Sequence, residues 1–311
     1  MNIVLFGGNG FIGSNLSEAL LSKNHSVRIF DRHHSVRMLP RETQDQIDYF
    51  EGDFLNVKDV RAALKGCDVA YHLISSTLPS SSHENPSYDV ESNIVPSVNF
   101  IKAAADIGIN KIIFVSSGGT VYGIPQSTPI PETHPTDPIC AYGISKLAIE
   151  KYLALYNRLT DINYTIVRLA NPFGYYQNPL SAQGVIAVFL HKILHNEPLE
   201  IWGDGSVVRD YIWISDATDA LIKVIDYHGK HKLFNLGTGA GTSLQEILLL
   251  LKDVLRQDID YKKFPQGRPI DVPVNILDIN LIKNELNWQP TTSLRTGILN
   301  FLEWMQHHSY D

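Results

Sequence analysis

The chain is poor in cysteine: two, Cys67 and Cys140, among 311 residues. That excludes a disulfide framework, and no C-x-x-C spacing offers a metal site. The paired His307-His308 falls in an expected frayed tail, so no metal is expected. Long apolar runs are missing too. The longest, Ile247 to Leu251, lies in a helical pattern and falls far short of the ~20 residues that span a bilayer. The apolar start stops at Gly7, which leaves no secretory h-region, and a cytoplasmic protein without membrane contact is expected. Positive charge is the minority: 26 Lys and Arg face 33 Asp and Glu, for a net charge of −7. A general nucleic-acid binder needs a basic face, so that class is excluded. Any phosphate-bearing ligand must be met by local arginines and helix ends. Repeats are absent, and Ser80-Ser81-Ser82 is the one low-complexity tract.

Glycine is present where it matters. The strand-like Asn2-Ile3-Val4-Leu5-Phe6 runs into Gly7-x-x-Gly10-x-x-Gly13, and an amphipathic helix through Phe11, Leu16, Ala19 and Leu20 follows. Gly7 permits the tight turn, Gly10 lets backbone N–H groups approach a pyrophosphate, and Gly13 lets the helix pack on the strand. A second strand, Ser26 to Phe30, ends at Asp31. An acid there bonds an adenosine ribose 2′-hydroxyl and repels a 2′-phosphate. The reading is a dinucleotide site that prefers NAD, with Arg32 partly offsetting Asp31. Backbone at Phe11 and Ile12 opens the phosphate-facing helix.

Strands and helices then alternate. Strands are expected at Asp48–Phe50, Asp68–Leu73, Lys111–Val115 and Tyr164–Arg168, with helices at about Val57–Leu64, Tyr88–Gly108 and Ala141–Leu159. This specifies an α/β fold, a Rossmann-type doubly wound parallel sheet with helices on both faces. Site residues should gather at the carboxyl ends of the strands. Asp53, followed by Phe54, lies at such an end; an adenine contact and a plain loop cap are both open. The hydroxyl-rich stretch Ser75 to Ser82 is either a ligand-facing or a surface loop.

Chemistry is expected at Phe114-Val115-Ser116-Ser117-Gly118-Gly119-Thr120-Val121-Tyr122-Gly123 and at Tyr142-x-x-x-Lys146. Tyr142 and Lys146, four apart, share one helix face. A phenol of pKa roughly 10 is a poor base at neutral pH. A nearby ammonium and a positive nicotinamide ring bring it toward the working range. Ser117 then holds a substrate alcohol while Tyr142 takes its proton.

With these motifs in hand, the chain resembles an extended short-chain dehydrogenase/reductase, of the UDP-glucose 4-epimerase-like branch of nucleotide-sugar enzymes. The resemblance rests also on Arg168-Leu169-Ala170-Asn171-Pro172-Phe173-Gly174, Trp202-Gly203-Asp204-Gly205, Arg209-Asp210-Tyr211 and Arg268-Pro269 with Asp271. It departs at Gly118, Ser or Thr in many relatives, which leaves the hydroxyl role to Ser117 or Thr120. Phe6 stands for a usual Thr, and Ile74-Ser75-Ser76 for an apolar-Ala-Ala pattern. The resemblance implies NAD, including Phe54 and Lys146 among its contacts, and a UDP-hexose substrate. It implies substrate roles for Thr120, Asn171, Val185, Trp202, Arg209, Arg268 and Asp271. The arginines would fork a diphosphate, with surface ion pairs the alternative. Val185 is either a phosphate-facing or an ordinary helix start, and Trp202 a base platform or a core aromatic. Asn275 falls near a position that sizes the sugar's N-acetyl group.

Ser215 is expected to cap a helix to Ile225, and Ser243 with Glu246 to form a capping box before Ile247. The expected division is a NAD-binding domain over 1–170, rejoined by 211–236, and a nucleotide-sugar lobe over 171–210 and 237–311. By resemblance the long helices make a homodimer. The activity implied is NAD-dependent 4-epimerisation through a 4-keto intermediate, the alternative being NAD(P)H-dependent reduction of a nucleotide-linked 4-keto-6-deoxysugar.

Overall fold

A computed structural model describes residues 1–181, 183–266 and 272–308. Seven parallel strands form the central sheet, in the order Leu233–Leu236, Asn163–Leu169, Lys111–Ser117, Val69–His72, Asn2–Phe6, Ser26–Asp31, Asp48–Glu51. The chain enters at Asn2–Phe6, moves outward to Asp48–Glu51, then crosses to the other side through Val69–His72. Strand order therefore reverses between Asn2–Phe6 and Val69–His72, the crevice where open α/β sheets take their ligands.

Near-continuous apolar strands fit a sheet covered on both faces. Alternation then sorts them. Ile3, Leu5 and Ile29 face the helices Phe11–Ser22 and Ile214–Lys223 through Leu16, Leu20, Ala217 and Leu221. Val4, Phe6 and Ala70 face the opposite layer, packing with Leu64 of Val57–Leu64, Phe100 of Val95–Ile107 and Leu153 of Ala141–Thr160. Phe6, standing where a Thr was the usual residue, is fully buried with ring centroids 4.7 Å from Phe30 and 4.8 Å from Phe100.

Beyond one-residue shifts at strand and helix ends, three elements differ from expectation. The helix expected over Tyr88–Gly108 begins at Pro86 and contains a π turn, Val90–Ile94, before Val95–Ile107. Pro96 explains it: without an N–H, and with a ring that crowds the preceding turn, proline disrupts the α ladder locally. The Lys111 strand runs on to Ser117, so both serines are strand residues paired in register with Arg168 and Leu169. Ser215 is no cap: the helix starts at Ile214, and Trp213 occupies the cap position without a side-chain hydrogen bond. Its neighbour Asp216 points away, accepting from Thr291 N, Thr291 Oγ1 and Thr292 N at 3.2, 2.8 and 2.9 Å. The Ser243–Glu246 capping box is present, with both reciprocal bonds.

The remaining chain builds short sheets. Asn171–Phe173 pairs with Tyr211–Trp213, Val208–Arg209 with Thr242–Ser243 and Val274–Asn275, and Leu199–Trp202 with Tyr261–Phe264. The helices Val185–Leu194, Leu244–Leu255 and Leu294–His307 close a second core around Phe189, Leu190, Ile247, Leu251 and Phe301.

Candidate active site

The glycine turn is built as its spacing requires. Gly7 has φ +86°, and a Cβ there would sit 3.0 Å from the Ile74 side chain. A Cβ on Gly13 would lie 2.5 Å from Gly8 O, so helix and turn can meet only through glycine. At Gly10 a Cβ would approach Gly7 O alone, at 3.3 Å. No side chain caps the following helix, so the first-turn N–H groups at Phe11 and Ile12 remain to be met by a ligand. Asp31 Oδ2 accepts from Asn9 N at 3.0 Å, and Oδ1 from Arg32 N at 2.9 Å. Burial raises its carboxyl above the ordinary range, while those two N–H bonds pull it back. A glycine cradle, an open helix start and an acid at the next strand end fit the phosphates and ribose of a dinucleotide.

The neighbouring candidates are placed less simply. Asp53 is exposed, and its Oδ1 accepts from Leu55 N at 2.9 Å, which caps its own turn. Phe54 joins the aromatic cluster of Phe6, His72 and Phe100.

Tyr142 and Lys146 stand one turn apart on Ala141–Thr160, with Lys146 Nζ 5.5 Å from the Tyr142 ring centroid. Lys146 Nζ donates to Val115 O at 3.3 Å, which ties the pair to the carboxyl end of the strand Lys111–Ser117. Ile74, Ser75, Asp89, Asn93, Ser145 and Ile149 complete the wall around them. Ile74 therefore stands beside the glycine turn and lines the same cavity as this pair. Burial dominates the protonation of the protein alone. It pushes the Tyr142 phenol up to about 12 and lowers Lys146 to about 8, with Asp89 and Glu150 acting to keep the ammonium charged. Desolvation sets the phenol of the protein alone, with the Ser75 hydroxyl acting to lower it and Cys140 and Asp89 to raise it.

Ser117 ends its strand with its Oγ 3.8 Å from where a Cβ on Gly119 would be. Thr120 lies against the helix Ala141–Thr160: a Cβ on Gly143 would be 2.6 Å from Thr120 O, and the buried Thr120 Oγ1 has no hydrogen-bond partner among the described residues. Gly118 is glycine because Leu277 occupies the place of its side chain, 2.5 Å from where a Cβ would be. Asn275, fully buried, donates its Nδ2 to Gly118 O at 3.0 Å, so it holds the hydroxyl loop rather than presenting a size gate.

On the smaller lobe, Asn171 Nδ2 donates to Asp210 O at 3.2 Å. Val185 opens its helix after Gly184, whose φ is +91°. Trp202 is 41 % exposed and stacks on Phe264 at 4.7 Å, so it is a surface platform rather than a core aromatic. Arg209 donates to Val208 O and Val272 O at 2.9 and 2.6 Å. Arg268 and Asp271 lie outside the described residues.

Two buried carboxylates beside the pair, Asp89 and Glu150, and a third elsewhere, Asp210, were given no role in the expectations drawn from sequence. Asp89, on the turn before the π segment, accepts from Thr77 Oγ1 and Ser145 Oγ and, at 3.2 Å, from Asn93 Nδ2. Glu150 accepts from Arg168 Nε at 3.0 Å and Nη2 at 2.6 Å, and from Ser116 Oγ at 2.5 Å. Asp210 binds Thr238 N, Thr238 Oγ1 and Gly239 N at 2.8, 2.6 and 3.1 Å. Glu150 was findable as the residue one turn beyond Lys146 on the same face; Asp89 gave no such signal.

Comparison with known proteins agrees with this geometry. The pattern of the NAD dependent epimerase/dehydratase family matches residues 3–237. A UDP-glucose 4-epimerase of Mycolicibacterium smegmatis is 32 % identical, over 99 % of this chain and 100 % of its own. A dTDP-4-dehydro-6-deoxyglucose reductase of Escherichia coli is 32 % identical, over 95 % of each chain. The crystal structure of Thermotoga maritima UDP-glucose 4-epimerase with UDP-glucose superposes with a TM-score of 0.91 at 31 % identity, covering 99 % of both chains.

Proposed function

The chain belongs to the NAD-dependent epimerase/dehydratase family, and from that premise we propose that it is a 4-epimerase of a UDP-hexose, plain or N-acetylated. The observation that carries this reading is the half-buried Tyr142 with the buried Lys146 one turn on, in a cavity whose wall includes Ile74 beside a glycine turn fit for a dinucleotide. NAD, held by the Gly7–Gly13 turn and Asp31, would supply the hydride acceptor and donor for sugar C4. Tyr142 Oη, as phenolate, takes the proton of the 4-hydroxyl, which Ser117 Oγ positions. Lys146 keeps its charge beside the phenol and reaches the nicotinamide ribose. The 4-ketose turns over so that its other face would receive the returning hydride at C4, and Tyr142 gives the proton back to O4. Arg209 and Arg268 retain the diphosphate meanwhile, Asp271 the ribose, and Asn171, Val185, Thr120 and Trp202 the rest of the nucleotide sugar. The nucleotide-binding domain is 1–170 with 211–236, and 171–210 with 237–311 forms the sugar-nucleotide lobe.

The test is proton NMR of UDP-glucose and of UDP-N-acetylglucosamine with purified protein and no added NADH or NADPH. The expected result is the galacto-configured anomeric signal for one or both. Tyr142→Phe should lower that turnover by about 10²–10⁴-fold. A second reading, reduction of a nucleotide-linked 4-keto-6-deoxysugar, is favoured by the similarity to the Escherichia coli reductase. It takes over if both sugars are left unchanged and such a ketosugar oxidises NAD(P)H.

A further inference from the structure

The stretch 75–82 is rich in hydroxyls, and two of them turn inward. It leaves the strand Val69–His72 beside the glycine turn, where Ile74 N and Cα would lie 3.2 and 3.3 Å from a Cβ on Gly7. Ser75 and Ser76 are exposed, whereas Thr77 and Ser82 are buried. Both buried hydroxyls lead to the helix Ala141–Thr160. Ser82 Oγ accepts from Tyr142 N at 3.0 Å. That N–H is one of the first-turn donors a helix cannot satisfy by itself, and the N-cap residue Cys140 makes no side-chain bond. Ser82 therefore caps this helix from a distant part of the chain. Thr77 Oγ1 donates to Asp89, which also receives Ser145 Oγ from the helix and Asn93 Nδ2 at 3.2 Å.

We propose that Asp89 and Ser82 are positioning residues for Tyr142 and Lys146: they brace the 75–82 loop across the first turns of the helix, and so fix the pair relative to the glycine turn. This rests on the pair carrying the reaction. The surroundings of Asp89 suit a brace. Asp89 is 1 % exposed, and Thr77, Asn93 and Ser145 are buried with it. A carboxylate only accepts, and this one takes a hydrogen from the loop, one from the π turn and one from the helix. Such bonds are about twice as strong as neutral ones, so three elements are held at one point. Asn93 Oδ1 accepts from Ser76 N at 2.9 Å, which ties the loop backbone as well. Ser145 lies between Tyr142 and Lys146 in the chain, and all three line one cavity with Asp89. Ties at Tyr142 N and at Ser145 Oγ, three residues apart, fix both the place of the helix and its rotation about its axis.

The experiment compares NAD-loaded wild type with Asp89→Asn, Ser145→Ala and Ser82→Ala. Asparagine keeps the shape and removes the charge. The two alanines delete one neutral hydroxyl each, and they carry the test if Asp89→Asn does not fold. Amide hydrogen exchange, read by mass spectrometry on peptides covering 75–82 and the first turns of the helix, needs no turnover. Each variant should speed exchange there by about tenfold, the effect of one lost bond of this kind. In Asp89→Asn the kcat for the nucleotide sugar should fall by about 10–100-fold through misplacement of the pair. KM should change by less than about twofold, because the substrate's own contacts remain. Ser243→Ala, which weakens another helix, should alter neither exchange at these peptides nor kcat.

Unchanged exchange in all three variants would overturn the brace. Faster exchange with unchanged kcat would leave Asp89 and Ser82 as packing residues and overturn their positioning role. A wild type that turns over no nucleotide sugar, or full turnover in Tyr142→Phe, would instead overturn the reading of the pair, and exchange would still decide the brace.

Discussion

His72 sits beneath the candidate site with its ring 2 % exposed. Its Nε2 lies 2.7 Å from Ser97 Oγ, whose own hydrogen goes to Asn93 O at 2.5 Å, so Nε2 is the protonated nitrogen. Nδ1 is buried without a partner among the described residues. A second proton there would be desolvated and would face Lys146, and the imidazole is lowered from 6.5 to about 3. Between these values the unfolded chain binds a proton that the native chain refuses. Stability therefore rises with pH across that window and is lost on acidification, by up to about 1.4 kcal/mol per pH unit. Urea midpoints measured from about pH 6.5 down to about pH 4 should fall steeply in the wild type and less so in His72→Gln. Equal slopes would remove His72 as the cause. Nothing local in the sequence marks this residue, since its partner Ser97 and its neighbour Lys146 come from distant elements. Gly7, Gly13, Tyr142 and Lys146 were legible because each depends on spacing within one turn or one helix. Asp89 and Asp210 were not, because their partners are brought together only by tertiary packing.

At the scale of elements, the hydroxyl loop and the smaller lobe meet at Gly118. A serine there, as in many relatives, would drive its Cβ into Leu277, which is itself fully buried and cannot swing aside. Gly118→Ser should destabilise by about 1–3 kcal/mol through overpacking. Combined with Leu277→Ala, its cost should shrink, and a double-mutant cycle in urea should show a coupling of about 1 kcal/mol or more. Strict additivity would mean that the two side chains do not compete for space. The capping box offers a simpler case: Ser243→Ala should lower stability by about 1 kcal/mol while leaving turnover unchanged, as thermal unfolding and the NMR assay would show. That box was readable because four consecutive residues define it. Ser215 was misread for the same reason, since Ser-Asp-Ala imitates a cap while Asp216 is used by Thr291 and Thr292. Pattern alone cannot say which partner wins.

For the whole molecule, the exposed apolar side chains are unevenly spread. Val95, Ile144, Tyr152, Leu155 and Leu159 are exposed on two neighbouring helices of one layer. Residues 144, 152, 155 and 159 recur at helical spacing on one face, as expected of a surface that another copy covers. Sedimentation should give twice the 34.9 kDa chain mass, and Leu155→Glu with Leu159→Glu should give the single mass. A wild type that sediments as one chain would rule this face out. The parallel sheet itself was legible from alternation, whereas for its last strand the sequence carried only the expected return of 211–236, and Leu233–Leu236 lies beside Asn163–Leu169. That placement matters while the protein is being made. A ribosome delivers six strands of the sheet, then the short strands and helices between residues 170 and 232, and only afterwards the strand that covers Asn163–Leu169. Throughout that interval the nascent chain carries an unpaired edge, open to any other extended segment nearby. Chaperone demand during synthesis should therefore peak in this interval and fall once residue 236 has emerged.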